Sequence, residues 1–144
     1  MNYFYLSKFI AGIYRQTKND FNKEISGLNV RATESDLLLF ITEHPNLSQQ
    51  ELSVQMVLDK SLLAKNLKIL QKKELIKRCS DSSDGRIHKI VATDAGQETA
   101  IHLKMVMNEW WEKIFKDNTE LDPQIFYQQL ELGYNLITQT KIQN

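Results

Sequence analysis

Residues 48–92 read SQQELSVQMVLDKSLLAKNLKILQKKELIKRCSDSSDGRIHKIVA, and the architecture of the chain can be worked out from them. Ser48 followed three residues later by Glu51 is a capping box, in which the serine oxygen accepts from a first-turn amide while Glu51 reaches back to the Ser48 amide. A short helix begins there, turns Leu52, Met56 and Val57 inward and stops near Leu58. Asp59 then offers an N-cap oxygen to a second helix that runs to about Lys73. Leu63, Leu67 and Leu70 repeat on one of its faces, while Lys60, Ser61, Lys65, Lys68 and Lys72 cover the others. Beyond it the period changes: 75–80 and 86–92 read as two strands around the polar turn 81–85, with a tip that projects into solvent. Short helix, turn, basic helix and hairpin, in that order, describe a winged helix-turn-helix. In that arrangement the first helix buttresses the second, whose polar face can enter the major groove of DNA while its cations neutralise phosphates.

The flanks are helical. Leu6, Phe9, Ile10, Ile13, Tyr14, Thr17 and Phe21 recur at three- and four-residue steps across residues 2–25, giving a first helix with a broad apolar face that ends at Ser26-Gly27-Leu28-Asn29. Thr33, with Asp36 three residues on, is read as the cap of a helix whose body is Leu37-Leu38-Leu39-Phe40-Ile41. Thr93-Asp94 opens a long helix bearing Ile101, Met105, Trp110, Ile114 and Phe115, and Asp122-Pro123 restarts the chain as a last helix with Phe126, Leu130, Tyr134 and Ile137. The fold expected is mainly α with a small β-hairpin wing: a single unit spanning 1–144, with the winged helix at about 30–92 and helical arms at 2–26 and 94–141.

The 144 residues carry 18 basic and 18 acidic side chains, so net charge alone gives no hint of a polyanionic partner. Its distribution does. Residues 60–90 hold nine basic and three acidic side chains, a local charge of +6 that the rest of the chain balances with nine basic and fifteen acidic ones, or −6. With Cys79 the only cysteine, no disulfide can form within one chain, and a reducing, cytoplasmic setting is expected. The apolar opening lacks a basic leader, and Lys8 and Arg15 interrupt it before any cleavage site, so it is not read as a signal peptide. No stretch approaches the roughly 20 apolar residues of a membrane span. His44, His88 and His102 fall in separate elements without metal-ligand spacing, and no nucleophile elbow or phosphate loop is present, so no enzyme, metal or cofactor is expected.

Residues 32–100 resemble the MarR family, the multiple antibiotic resistance regulators. The resemblance rests on the helix start at Leu47-Ser48-Gln49-Gln50-Glu51-Leu52, on Asp59-Lys60-Ser61, on the strand Leu75-Ile76-Lys77-Arg78, on Asp84-Gly85-Arg86 at the wing tip and on Thr93 and Gly96. The chain departs from the family at three positions: Glu74 stands where glycine usually forms a left-handed helix cap, Gly85 replaces a residue that is often basic, and Ala92 replaces leucine. The resemblance implies a ligand-responsive repressor that binds a pseudo-palindromic operator in double-stranded DNA as a homodimer, with no membrane partner. It also implies that the first, fifth and sixth helices are the dimerisation arms.

The expected DNA contacts follow residue by residue. Ser61, Leu62, Lys65 and Asn66 lie near the start of the basic helix, where Asn66 can read an adenine edge and Leu62 is either core or a contact for a thymine methyl. Lys60, Lys68 and Lys72 suit phosphates, and Arg86 resembles the family's minor-groove wing arginine with Asp84 beside it to orient it. Phe9, Tyr14, Trp110, Trp111 and Phe115 lie on helices that in the family flank an effector cavity, and they mark a site for a small aromatic or fatty-acid ligand; plain core is the other reading. Two further readings stand beside this one: a winged-helix module that binds an acidic protein instead of DNA, and a redox-responsive regulator using Cys79, whose chain neighbours Lys77 and Arg78 favour a thiolate.

Overall fold

In the computed structural model, which describes residues 1–80 and 85–139, the chain runs α1 (Tyr5–Glu24), α2 (Ala32–Glu43), β1 (Leu47–Ser48), α3 (Gln49–Met56), α4 (Lys60–Lys72), β2 (Ile76–Ser80), β3 (His88–Ala92), α5 (Asp94–Asp117) and α6 (Pro123–Gln139). The starts of these helices are local chemistry. Ser48 Oγ accepts from the Glu51 amide at 3.2 Å, Asp59 Oδ1 from the Ser61 and Leu62 amides at 2.9 and 3.1 Å, Thr93 Oγ1 from the Gly96 amide at 3.1 Å, and Asp122 Oδ1 from the Ile125 amide at 2.9 Å. Two details differ from expectation. The Glu51 carboxylate accepts from the Ser48 hydroxyl rather than from its amide. Thr33 caps nothing: α2 already begins at Ala32, whose amide is taken by Asn22 Oδ1 at 2.8 Å, while Glu34 accepts from the Arg31 amide at 3.3 Å.

The ends of α3 and α4 share one device. After α4 the Leu75 amide bonds the Leu70 carbonyl and the Glu74 amide bonds that of Gln71, a Schellman motif with Leu75 and Leu70 both buried. Glu74 takes the left-handed conformation that the motif demands, φ 59°, without being glycine. After α3, Leu58 bonds Ser53 and Val57 bonds Val54 in the same pattern, with Val57 at φ 55°. Val57, expected inward, is therefore turned out and 52% exposed.

The sheet has three strands in the order β1-β3-β2, all antiparallel; Leu47 lies opposite Ile90, and Ile76 through Ser80 lie opposite Ala92 through His88. One core joins it to the helices: Leu37, Leu38 and Ile41 of α2, Leu52 of α3, Leu63, Leu67 and Leu70 of α4, Ile76 and Ile90 of the sheet and Leu103 of α5 are all buried. Each such side chain contributes on the order of 1.5–3 kcal/mol from burial. The C-terminal half of α5, α6 and most of α1 stand outside this core. Of the apolar face of α1, only Phe21 is buried, beside the buried Thr17; Leu6, Phe9, Ile10 and Ile13 are exposed. Among the described residues, no helix is long and apolar enough to cross a membrane.

Candidate nucleic-acid interface

The outer face of α4 is a ladder of polar side chains. Ser61, Lys65, Lys68 and Lys72 recur at steps of four, three and four residues on the side away from the core, and all four are exposed. Lys60 is exposed at the helix start. Among the described residues none of Lys60, Lys65, Lys68 and Lys72 enters a salt bridge, whereas Lys73 is spent internally on the buried Glu34 at 2.7 Å. A row of uncompensated ammonium groups on one helix face is a surface for a regularly spaced polyanion.

Asn66 does not belong to it. It lies three residues after Leu63 and four before Leu70, within the buried stripe, and is only 7% exposed, so base reading by its amide is corrected to a place in the lobe interior. Leu62 is 47% exposed, but it borders the cleft between α1, α2 and α4 one turn before Asn66, beside Tyr14, Met56 and Leu58. Arg86 is exposed just before β3 and shares a cleft with Arg78, Gln49 and His88. Asp84 lies outside the described residues. Arg78, which the sequence placed on the strand and beside Cys79 but not among the expected DNA contacts, donates Nη2 to Gln49 Oε1 at 3.1 Å and Nε to Gln71 Oε1 at 3.3 Å. The basic charge of residues 60–90 includes it.

The five aromatic residues expected to share one ligand pocket do not line a single cavity, although Trp110, Trp111 and Phe115 meet ring to ring in sequence. Trp111 and Phe115 line a cavity of about 590 Å³ between α5 and α6 with Phe126. Trp110 faces α1 instead, where its indole donates to Asp20 Oδ2 at 3.0 Å and meets Phe21 edge to face. Tyr14 lines the separate α1–α2–α4 cleft of about 490 Å³, and Phe9 stacks on Tyr5 along α1. The reason is angular: Trp110 and Trp111 are consecutive on a helix and point roughly 100° apart.

At the α1–α2 junction the Lys18 ammonium donates to the Ala32 carbonyl and to Asp36, and the Tyr14 hydroxyl donates to the same carboxylate oxygen at 2.8 Å. Burial lowers the Lys18 pKa from its usual range, an effect that Asp36 opposes; burial and then the Asp36 charge push the Tyr14 phenol up. Cys79 is exposed on β2, opposite Lys89. Among the described residues no three His, Cys, Asp or Glu side chains gather as a metal site.

A buttressed basic helix, a three-stranded wing and long helical arms at both ends make this a winged-helix protein of the arm-bearing kind. The profile of the MarR family matches residues 26–87. Over that segment the chain is similar to the MarR family, and over nearly its full length it has the fold of the solved MarR structure. The crystal structure of MarR superposes with a TM-score of 0.86 at 23% identity, covering 96% of this chain and 95% of that one. FabT of Streptococcus pneumoniae, solved in complex with DNA, gives 0.72 at 16% identity, covering 99% of this chain and 100% of that one. A Listeria monocytogenes protein complexed with 26mer DNA gives 0.76 at 20%, covering 94% and 90%. No curated protein sequence matches the chain.

Proposed function

We propose that this protein is a transcription regulator that binds double-stranded DNA sequence-specifically as a homodimer, presenting one α4 from each copy to successive major grooves. The observation that carries the reading is the exposed ladder of Ser61, Lys65, Lys68 and Lys72, three of whose members are cations without a carboxylate partner among the described residues. Two of the similar folds were solved with DNA, which supports the same reading. Ser61 and Lys65, nearest the N-terminus of α4, take the base edges; Lys60, Lys68 and Lys72 take phosphates, which position the helix without specifying sequence. Arg86 follows as the wing contact, with Asp84 to orient it. The exposed apolar faces of α1 and α6 supply the dimer contact.

A ligand-responsive repressor is the finer form of the proposal. The α1–α2–α4 cleft touches the recognition helix through Leu62 and Asn66 and the arm through Tyr14, so a small aromatic or fatty-acid effector seated there acts on both. The test is enrichment of duplexes from a random pool, followed by footprinting. A protected pseudo-palindrome with half-sites about 10 base pairs apart is expected. Binding that stays indifferent to sequence at low salt would overturn the proposal in favour of a module for acidic proteins.

A further inference from the structure

We propose that Arg78 is a preorganised DNA-backbone contact, held ready by two neutral glutamines; this rests on the DNA-binding reading above. Arg78 sits in the middle of β2, opposite Ile90 and with its side chain exposed. Its guanidinium reaches Gln49, the first residue of α3, and Gln71, in the last turn of α4, so one side chain ties wing, buttress helix and recognition helix together. Arginine is a donor only, which fixes both glutamine amides with their oxygens toward it.

The choice of partner matters. A carboxylate in either place would hold the guanidinium as firmly but cancel its charge. Glutamine orients the planar fork and leaves the cation whole, and three of the five N–H donors are not used by these two bonds. The cleft that Arg78 shares with Arg86 and His88 measures about 590 Å³ and has, among the described residues, one carboxylate on its rim, Glu51, which is turned back to the Ser48 hydroxyl. A rigid guanidinium between α3 and the wing, with no carboxylate partner among the described residues, is suited to an anionic oxygen that must be met at one angle, as a DNA phosphate must. A long side chain freed of both glutamines would have to lose rotamer freedom on binding; held by them, it has lost that freedom already.

The test is the salt dependence of binding to a fluorescein-labelled mixed-sequence duplex, with Lys68→Ala as the control for an ordinary phosphate-contacting cation on α4. Arg78→Gln should lower the slope of log affinity against log salt by about 0.9, the loss of one phosphate contact. Gln49→Met and Gln71→Met remove no charge, so they should weaken binding about three- to tenfold with the slope unchanged. In the Arg78→Gln background they should do nothing more. Arg78→Lys should keep the slope and lose the affinity that the glutamines supply. An Arg78→Gln slope equal to that of the parent, or glutamine effects that persist without Arg78, would overturn the proposal while leaving DNA binding by α4 intact. If the parent shows no salt-dependent binding at all, the DNA-binding reading and this proposal fall together.

Discussion

Val57 and Glu74 both occupy left-handed backbone that L-residues adopt at a cost of roughly 1–2 kcal/mol, and valine, branched at Cβ, is the more strained of the two. Both are held there by Schellman bonds, one closing α3 in the turn before α4 and the other closing α4 before the sheet. Glycine at either position removes the strain but gives the unfolded chain more freedom, which offsets roughly half of the gain. Val57→Gly and Glu74→Gly should therefore each stabilise the fold by about 0.5–1 kcal/mol, read as a higher urea midpoint at constant m-value. Unchanged or lower midpoints would mean that these positions are not strained in solution. At Glu74 the absence of the family's usual glycine argued against a left-handed cap, which forms there all the same; at Val57 the expectation of an inward side chain hid it. Asn66 was legible and misread. Positions 63, 66, 67 and 70 fall within one arc of a helix, and an asparagine among three leucines that share a buried arc shares their burial. Asn66→Ala should accordingly change thermal stability without the base-pair-specific loss that a reader of adenine would show.

At the scale of elements, the helices and the hairpin were readable because caps and periodicity are local, whereas β1 was not. Two residues cannot show alternation, and Leu47–Ser48 is a strand only because Ile90 and Lys89 lie opposite. The joint between the wing and α5 depends on the same long-range placement. Thr93 donates its amide to the Leu75 carbonyl at 3.0 Å and its hydroxyl to that of Glu74 at 2.7 Å, and a Cβ built on Gly96 would stand 2.0 Å from the Leu75 oxygen. The first turn of α5 is thus pressed onto the end of α4, and arm and recognition helix are coupled through backbone. Gly96→Ala should destabilise the chain by about 1–3 kcal/mol, because the obstacle is a carbonyl rather than a side chain that can swing aside. A variant as stable as the parent would mean that the joint yields freely and transmits little. On α4 itself, Lys68→Ala should weaken binding to every duplex and lower the salt slope by about 0.9, while Ser61→Ala should act at particular base pairs. A Lys68→Ala loss confined to one sequence would reverse the assignment of positioning and reading along the ladder.

For the whole molecule, the apolar surface left over is the clearest instruction for assembly. The first-helix pattern was legible as amphipathic, yet a single chain buries little of that face: Leu6, Phe9, Ile10 and Ile13 are 54%, 57%, 56% and 42% exposed. On α6, Ile125, Leu130 and Ile137 are exposed as well. A patch of this kind along two long helices exceeds the scattered apolar residues of an ordinary surface, and a stable dimer interface needs about 1,200–2,000 Å² in all. In the proposed homodimer an isologous contact would pair the same helices of both partners, and DNA binding would require its two α4 helices to lie about 34 Å apart. Ile10→Glu places a charge in the middle of that face without touching the buried core of the lobe. Sedimentation should then report a monomer, while circular dichroism and the lobe's thermal transition stay close to those of the parent. With one lobe per molecule the second half-site is no longer met at high effective concentration, so affinity for a duplex carrying both half-sites should fall about 100-fold or more. Affinity for a duplex with a single half-site should barely change. Ile10→Leu, which keeps the contact apolar, should behave as the parent. An Ile10→Glu chain that remains dimeric would move the interface off α1, and a monomer with undiminished two-site affinity would sever dimerisation from DNA recognition.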